Sequence, residues 1–216
     1  MINDSDNHYT QAGYGDEVDK YLECMNELKR LMSFASKYLK NRQNLRFENL
    51  QITIEILCLQ YRKIFELIAI SSLSTNKKSF TKKHDHILYG YQPEKIMSGI
   101  RKINPKFYQV PVINIPKNNE PIYYFKERET DIFSDKELCK AWKLCSEYLH
   151  IRNPFKTGLN GDVILNLFFE WHQKIVNHFY NHSIMLSNSD KHFLVSMDFS
   201  EESKATEIYF IWPLKK

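Results

Sequence analysis

From Glu17 to Arg42 apolar side chains return every seven residues, at Val18, Met25, Met32 and Leu39, with Tyr21, Leu28 and Ala35 between them. At 3.6 residues per turn these positions share one side of a helix, so the spacing predicts an amphipathic helix with a coiled-coil-like seam. A second helix is predicted from about Asn44 to Leu73, where Leu50, Leu57 and Ile64 interleave with Ile54, Tyr61 and Ile68. It is also apolar on another side, through Ile52, Ile56, Leu59, Leu67 and Ile70, which suits a helix packed between neighbours. The short Asn41–Asn44 turn makes the pair an antiparallel hairpin.

Beyond this hairpin the pattern changes several times. Ser74–His86 loses its apolar periodicity and reads as a basic loop. A helix is predicted over Pro93–Ile103, with proline in its first turn and Asn104-Pro105 at its end. The next stretch, to Phe133, carries Pro105, Pro111, Pro116 and Pro121 and the run VPVINIPKNNEPIYYF. It reads as an extended excursion with short strands, long enough to be functional or docked on the bundle. Ser134 and Glu137 form a capping box opening a helix with the seam Leu138, Trp142, Cys145 and Leu149, which Pro154 should end at or just before Asn153. Asp162 is expected to cap a last helix running to about Ile184. Alternation at Phe193, Val195, Met197 and Phe199, then at Ile208, Phe210 and Trp212, predicts a β-hairpin over about 192–212 with one buried face. The expected fold is mainly α: a bundle built on a long antiparallel helical hairpin, with the C-terminal β-hairpin and the proline-rich insertion. Residues 1–16 are expected to form a flexible tail and 17–216 a single domain.

Composition narrows the class. With 216 residues, 43% hydrophobic and 14% aromatic, the chain can build one dense core. Cys24, Cys58, Cys139 and Cys145 form no CxxC pair and lie among apolar neighbours, so they read as reduced thiols. No long apolar run occurs, and the polar start MINDSDNHYTQAGYGDE lacks the regions of a signal peptide, so a cytoplasmic, membrane-free protein is expected. The net charge of +4 permits a nucleic-acid partner without requiring one. Phosphate-loop, dinucleotide, zincin, nucleophile-elbow and zinc-spaced cysteine signatures are missing, and no cofactor is expected.

Two polar constellations could carry chemistry. Gln51, Glu55, Arg62 and Glu66 fall in one narrow sector of the second helix. Either Arg62 is held by carboxylates and aimed at a phosphate or a partner's carboxylate, or the stripe is an ordinary wet face with local ion pairs. Glu147, His150 and Asn153, spaced by three, would share a face on a continuing helix, with Glu147 orienting His150 as an acid/base. Alternatively His150 is a satisfied interior histidine and Asn153 a C-cap. His178 and His182 have the i, i+4 spacing of metal ligands but lack a third ligand and sit beside Trp171 and Ile175, so they are expected in the core or at the surface. His84 and His86 form an HxH pair in the basic loop. Lys77, Lys78, Lys82 and Lys83 form the evident basic cluster, suited to phosphates or to water.

The segments QYRKIFELIAISSL and EYLHIRNPF resemble bacterial helical proteins of the broad HEPN group, over roughly Glu17 to Ile184. That resemblance implies a bundle that commonly dimerises and belongs to toxin, abortive-infection or antiviral systems. It also implies metal-independent RNA cleavage, by a His acting as acid/base and an Arg stabilising the phosphorane charge. The group's pattern is an Arg, a polar residue and a His a few positions on. Arg152-Asn153 matches its opening, but Thr157, Gly158 and Leu159 stand where the His belongs, and His150 precedes the Arg. Either His150, Asn153 and Arg62 converge from two helices, or the protein binds RNA without cutting it. The expected catalytic set is therefore His150, Arg152, Arg62, Glu147, Asn153 and Glu66. A homodimer or partner protein is expected, and a non-catalytic scaffold is the competing reading.

Overall fold

The computed structural model describes residues 15–40, 47–80, 87, 89–115, 124–150, 160–187, 192–200 and 206–211. Lys82, Lys83, His84, His86, Arg152, Asn153, Trp212, the Asn41–Asn44 turn and most of the expected tail lie outside these residues.

The protein is mainly α-helical with a small antiparallel sheet. Five α-helices are described: α1 (Asp16–Lys40), α2 (Phe47–Ser74), α3 (Pro93–Ile103), α4 (Asp135–Leu149) and α5 (Gly161–Phe179). The α1 seam is wholly internal, because Val18, Met25, Leu28, Met32 and Ala35 are all buried. A charge at Met25 or Met32 would therefore destabilise the monomer itself, whatever its oligomeric state.

Helix α2 touches all four other helices, as its wide apolar surface requires. It runs antiparallel to α1: Lys78, just beyond the end of α2, donates its backbone N–H to Glu17 at the start of α1 (3.1 Å) and adds an Nζ–Oε2 ion pair (2.7 Å). Local signals hold well at several ends. Pro93 opens α3, and Ser134 Oγ accepts the Glu137 N–H at 3.2 Å to cap α4. At α5 the cap is Asn160, whose Oδ1 accepts the Asp162 N–H at 3.0 Å; Asp162 lies inside the helix.

Two helix ends depart from the sequence reading. Helix α4 stops at Leu149 and His150 is already extended, so the helical face expected to join Glu147 to Asn153 ends before it is complete. Helix α5 stops at Phe179, and Asn181–Met185 is a strand in which His182 and Ile184 point inward while their neighbours are half-buried. That alternation is the two-residue period of a strand, hidden in sequence by the helical run before it.

The C-terminal hairpin is part of a larger sheet. Strands β1 (Val110–Ile115), β2 (Tyr124–Glu127), β3 (Asn181–Met185), β4 (His192–Ser196) and β5 (Glu207–Ile211) lie in the order β2-β1-β3-β4-β5, each pair antiparallel. The hairpin β4–β5 pairs Val195 with Ile208. The proline-rich excursion joins through Val110 and Pro111, opposite Ser183 and His182. Pro111 lacks an N–H, yet its carbonyl accepts from Arg128 at 2.8 Å within the excursion, and the pairing of β1 with β3 joins the excursion to the rest of the sheet.

Candidate functional site

The polar stripe on α2 faces α4. Arg62 Nε donates to Glu66 Oε1 (3.1 Å), and the same oxygen accepts from Trp142 Nε1 at 2.9 Å. The Arg62 guanidinium lies 5.3 Å from the centre of the Trp142 ring, giving a cation–π contact. At the other end of the stripe Gln51 donates to Glu55 (2.8 Å) and accepts from the Tyr148 hydroxyl (3.0 Å). Between them the thiols of Cys58 and Cys145 meet, and burial followed by this contact pushes the Cys145 thiol well up, keeping it protonated. The stripe carries the local i, i+4 pairs of a helix face and also reaches across to α4. It is a polar clasp between antiparallel helices.

Arg62 and Glu66 are brought together, whereas His150 is placed elsewhere. Trp142, over which Arg62 lies, precedes His150 by eight residues, about 12 Å of helix at 1.5 Å per residue. Glu147 and His150 are both exposed, and among the described residues no hydrogen bond joins their side chains. The His150 backbone N–H is bonded to the Glu147 carbonyl at 3.3 Å, closing the last turn of α4.

His178 and His182 form a buried network. Phe133 N–H donates to His178 Nδ1 (3.2 Å), so Nε2 carries the proton and donates to the Gln109 carbonyl (3.1 Å). His182 Nδ1 donates to the Phe179 carbonyl (3.0 Å), which leaves Nε2 to accept the Tyr21 hydroxyl at 2.5 Å. Gln109 also donates to Ser71 Oγ (2.9 Å) and accepts from Ser72 (3.3 Å). Every ring nitrogen is thus engaged by protein. Burial holds both imidazoles neutral, His178 down to about 3 and His182 to about 4. Sequence reading placed these histidines in the core or at the surface without finding Gln109, whose partners come from α2 and α5.

A second buried pair also escaped it. The Tyr61 hydroxyl sits between the Phe168 carbonyl (3.2 Å) and His172 Nδ1 (3.1 Å), and burial lowers His172 to about 4. Nothing in the local sequence marks that histidine.

The basic cluster is broader than the four lysines first singled out. Residues 77–106 hold eight Lys or Arg against Asp85 and Glu94, a net charge of +6, so the remainder of a +4 chain is net −2. Lys77 and Lys78 are tied to Asp16 and Glu17. Arg101 is paired with Asp135 and lies over Phe107. Lys95, Lys102 and Lys106 are exposed and form no ion pair among the described residues. Positive charge is thereby gathered on α3 and its approaches.

Comparisons with protein-family models, with curated proteins and with solved structures find no match. Among the described residues no helix is long and apolar enough to cross a membrane.

Proposed function

We propose that the protein binds RNA through the basic surface on and around α3 and acts in the bacterial cytoplasm as a HEPN-like component of a toxin or antiphage system. One observation carries this reading: the segregation of a +6 segment in a chain whose remainder is negative. Such a patch neutralises phosphates and releases their counterions, a sequence-independent source of affinity. Cleavage, in this reading, belongs to the solvent-facing end of α4. His150 there would act as acid/base beside Glu147, with Arg152 and Asn153 next in sequence; Arg62 and Glu66 serve by holding α2 against α4.

Purified protein should bind RNA with an affinity that falls steeply as salt rises, and should cut it in chelator-containing buffer. His150→Ala should lower the cleavage rate by roughly 100-fold or more while leaving binding and helical circular dichroism unchanged. Equal cleavage by that variant removes His150 from the mechanism, and binding insensitive to salt removes the phosphate reading.

A scaffold reading draws on a different surface. Ile52 and Leu59, 58% and 44% exposed, stand seven residues apart on α2 and present an apolar stripe to solvent. If a second copy covers it, Leu59→Glu halves the mass measured by light scattering while the helical circular dichroism stays that of the wild type, and the melting temperature ceases to depend on protein concentration. An unchanged mass excludes this face as a dimer seam.

A further inference from the structure

Among the described residues, the two most exposed large aromatic side chains belong to one short segment: Tyr89 is 80% exposed and Tyr91 72%. Between them and the buried core the chain is pinned by Ile87, which is 5% exposed and closes a turn by accepting the Gly90 N–H at 3.2 Å. Ile87 fits against Gly99 of α3, where an added Cβ would meet its Cγ1 at 2.9 Å. Only a glycine admits so close an approach.

That contact ties the start of the tyrosine-bearing segment to the Gly99 side of α3. At 100° per residue, Lys95 and Lys102 stand about 40° and 60° around the helix from Gly99, on the flank that Ile87 covers. Arg101 points to the other flank, toward Asp135 of α4. Two solvent-facing aromatic rings, two and four residues beyond Ile87, thus belong to the segment that leads from this side of α3 back to Pro93, and the two exposed lysines of that side have no acidic partner among the described residues.

We propose that Tyr89 and Tyr91, with Lys95 and Lys102, form a stacking site for single-stranded RNA. The inference rests on the RNA-binding reading and makes it more specific. Aromatic faces accept unpaired bases of any sequence, whereas a duplex keeps its bases stacked inside; lysines beside the rings neutralise the phosphates that follow each base. A protein partner with an acidic surface would use the lysines and leave both rings in water.

The test measures anisotropy of a fluorescein-labelled oligouridylate of about 12 nucleotides, with the matching duplex and polyglutamate as competitors. Tyr89→Ala and Tyr91→Ala should each weaken binding roughly 5- to 100-fold, with Tyr→Phe at either position close to wild type, because the ring and not the hydroxyl does the stacking. The tyrosine variants should keep the wild-type salt dependence. Lys95→Gln and Lys102→Gln should each reduce the log–log salt slope by about 0.7. Both tyrosines are exposed, so the alanine variants should melt with the wild type. If the wild type binds RNA and the alanine variants bind equally well, the stacking site is overturned and the broader RNA reading stands. Duplex or polyglutamate competing as well as the single strand also overturns it. A wild type that binds no RNA overturns both.

Discussion

Lowering the pH from 7 to about 4.5 is expected to unfold the protein cooperatively, with uptake of about three protons. His178, His182 and His172 are held neutral at about 3, 4 and 4 by burial, against an ordinary value of 6.5. A base whose folded pKa is depressed contributes its stability fully above the unfolded pKa and loses it as pH falls toward the folded one. The loss therefore starts near pH 6.5 and continues until about pH 4 for His172 and His182 and about pH 3 for His178. Each histidine contributes a slope of roughly 1.4 kcal/mol per pH unit, so the three together approach about 4 kcal/mol per unit, against a total domain stability of about 5–15 kcal/mol. Thermal melts followed by circular dichroism between pH 7.5 and 4 measure this. Replacing His172, the least buried of the three, by Gln should remove about a third of the slope. A melting temperature flat between pH 6.5 and 5 would refute the buried-neutral assignment.

Truncation of Phe65 to alanine should cost about 3–5 kcal/mol, a large fraction of the same total. Phe65 is fully buried on α2 and lies at the junction of three elements. Its ring stacks on Phe133 at 5.8 Å and meets Trp171 of α5 edge-on at 5.5 Å, with an interplanar angle of 82°. Trp171 in turn meets Phe168, whose ring stacks on Tyr61 at 5.0 Å. Aromatic rings at these separations gain from edge and offset contacts beyond their buried area, so the void left by Phe65→Ala loses several partners at once. Urea titrations should show a lower midpoint with an unchanged slope. Leu59→Ala, six residues earlier but 44% exposed, is the control and should shift stability by less than about 1 kcal/mol. Equal effects at the two sites would contradict the placement of α2.

Both expected results draw on the same fact, that packing brings together groups far apart in the chain. The Arg62–Glu66–Trp142 clasp has a similar origin, between α2 and α4. Its α2 half was legible, because Arg62 and Glu66 are four residues apart on one helix face. Its α4 half was not, since Trp142 lies 76 residues on from Glu66. The solvent-facing end of α4 divides similarly: Glu147 and His150 were found by spacing, but their shared face assumed a helix that in fact ends at Leu149.

What the sequence by itself determined is the helical framework. Periodicity placed α1 and α2 to within a few residues, Pro93 and Asn104-Pro105 bounded α3, Ser134 marked the start of α4, and alternation marked β4 and β5, because each of these signals is a short-range property of neighbouring side chains and the backbone they cap. Tertiary structure decided the rest. Strand β3 exists because β1 and β4 flank it, the histidine tautomers follow from carbonyls and N–H groups on other elements, and the segment bearing Tyr89 and Tyr91 is positioned by one close approach of Ile87 to Gly99. Such features depend on where distant stretches of the chain meet, and that distance has no local pattern to announce it.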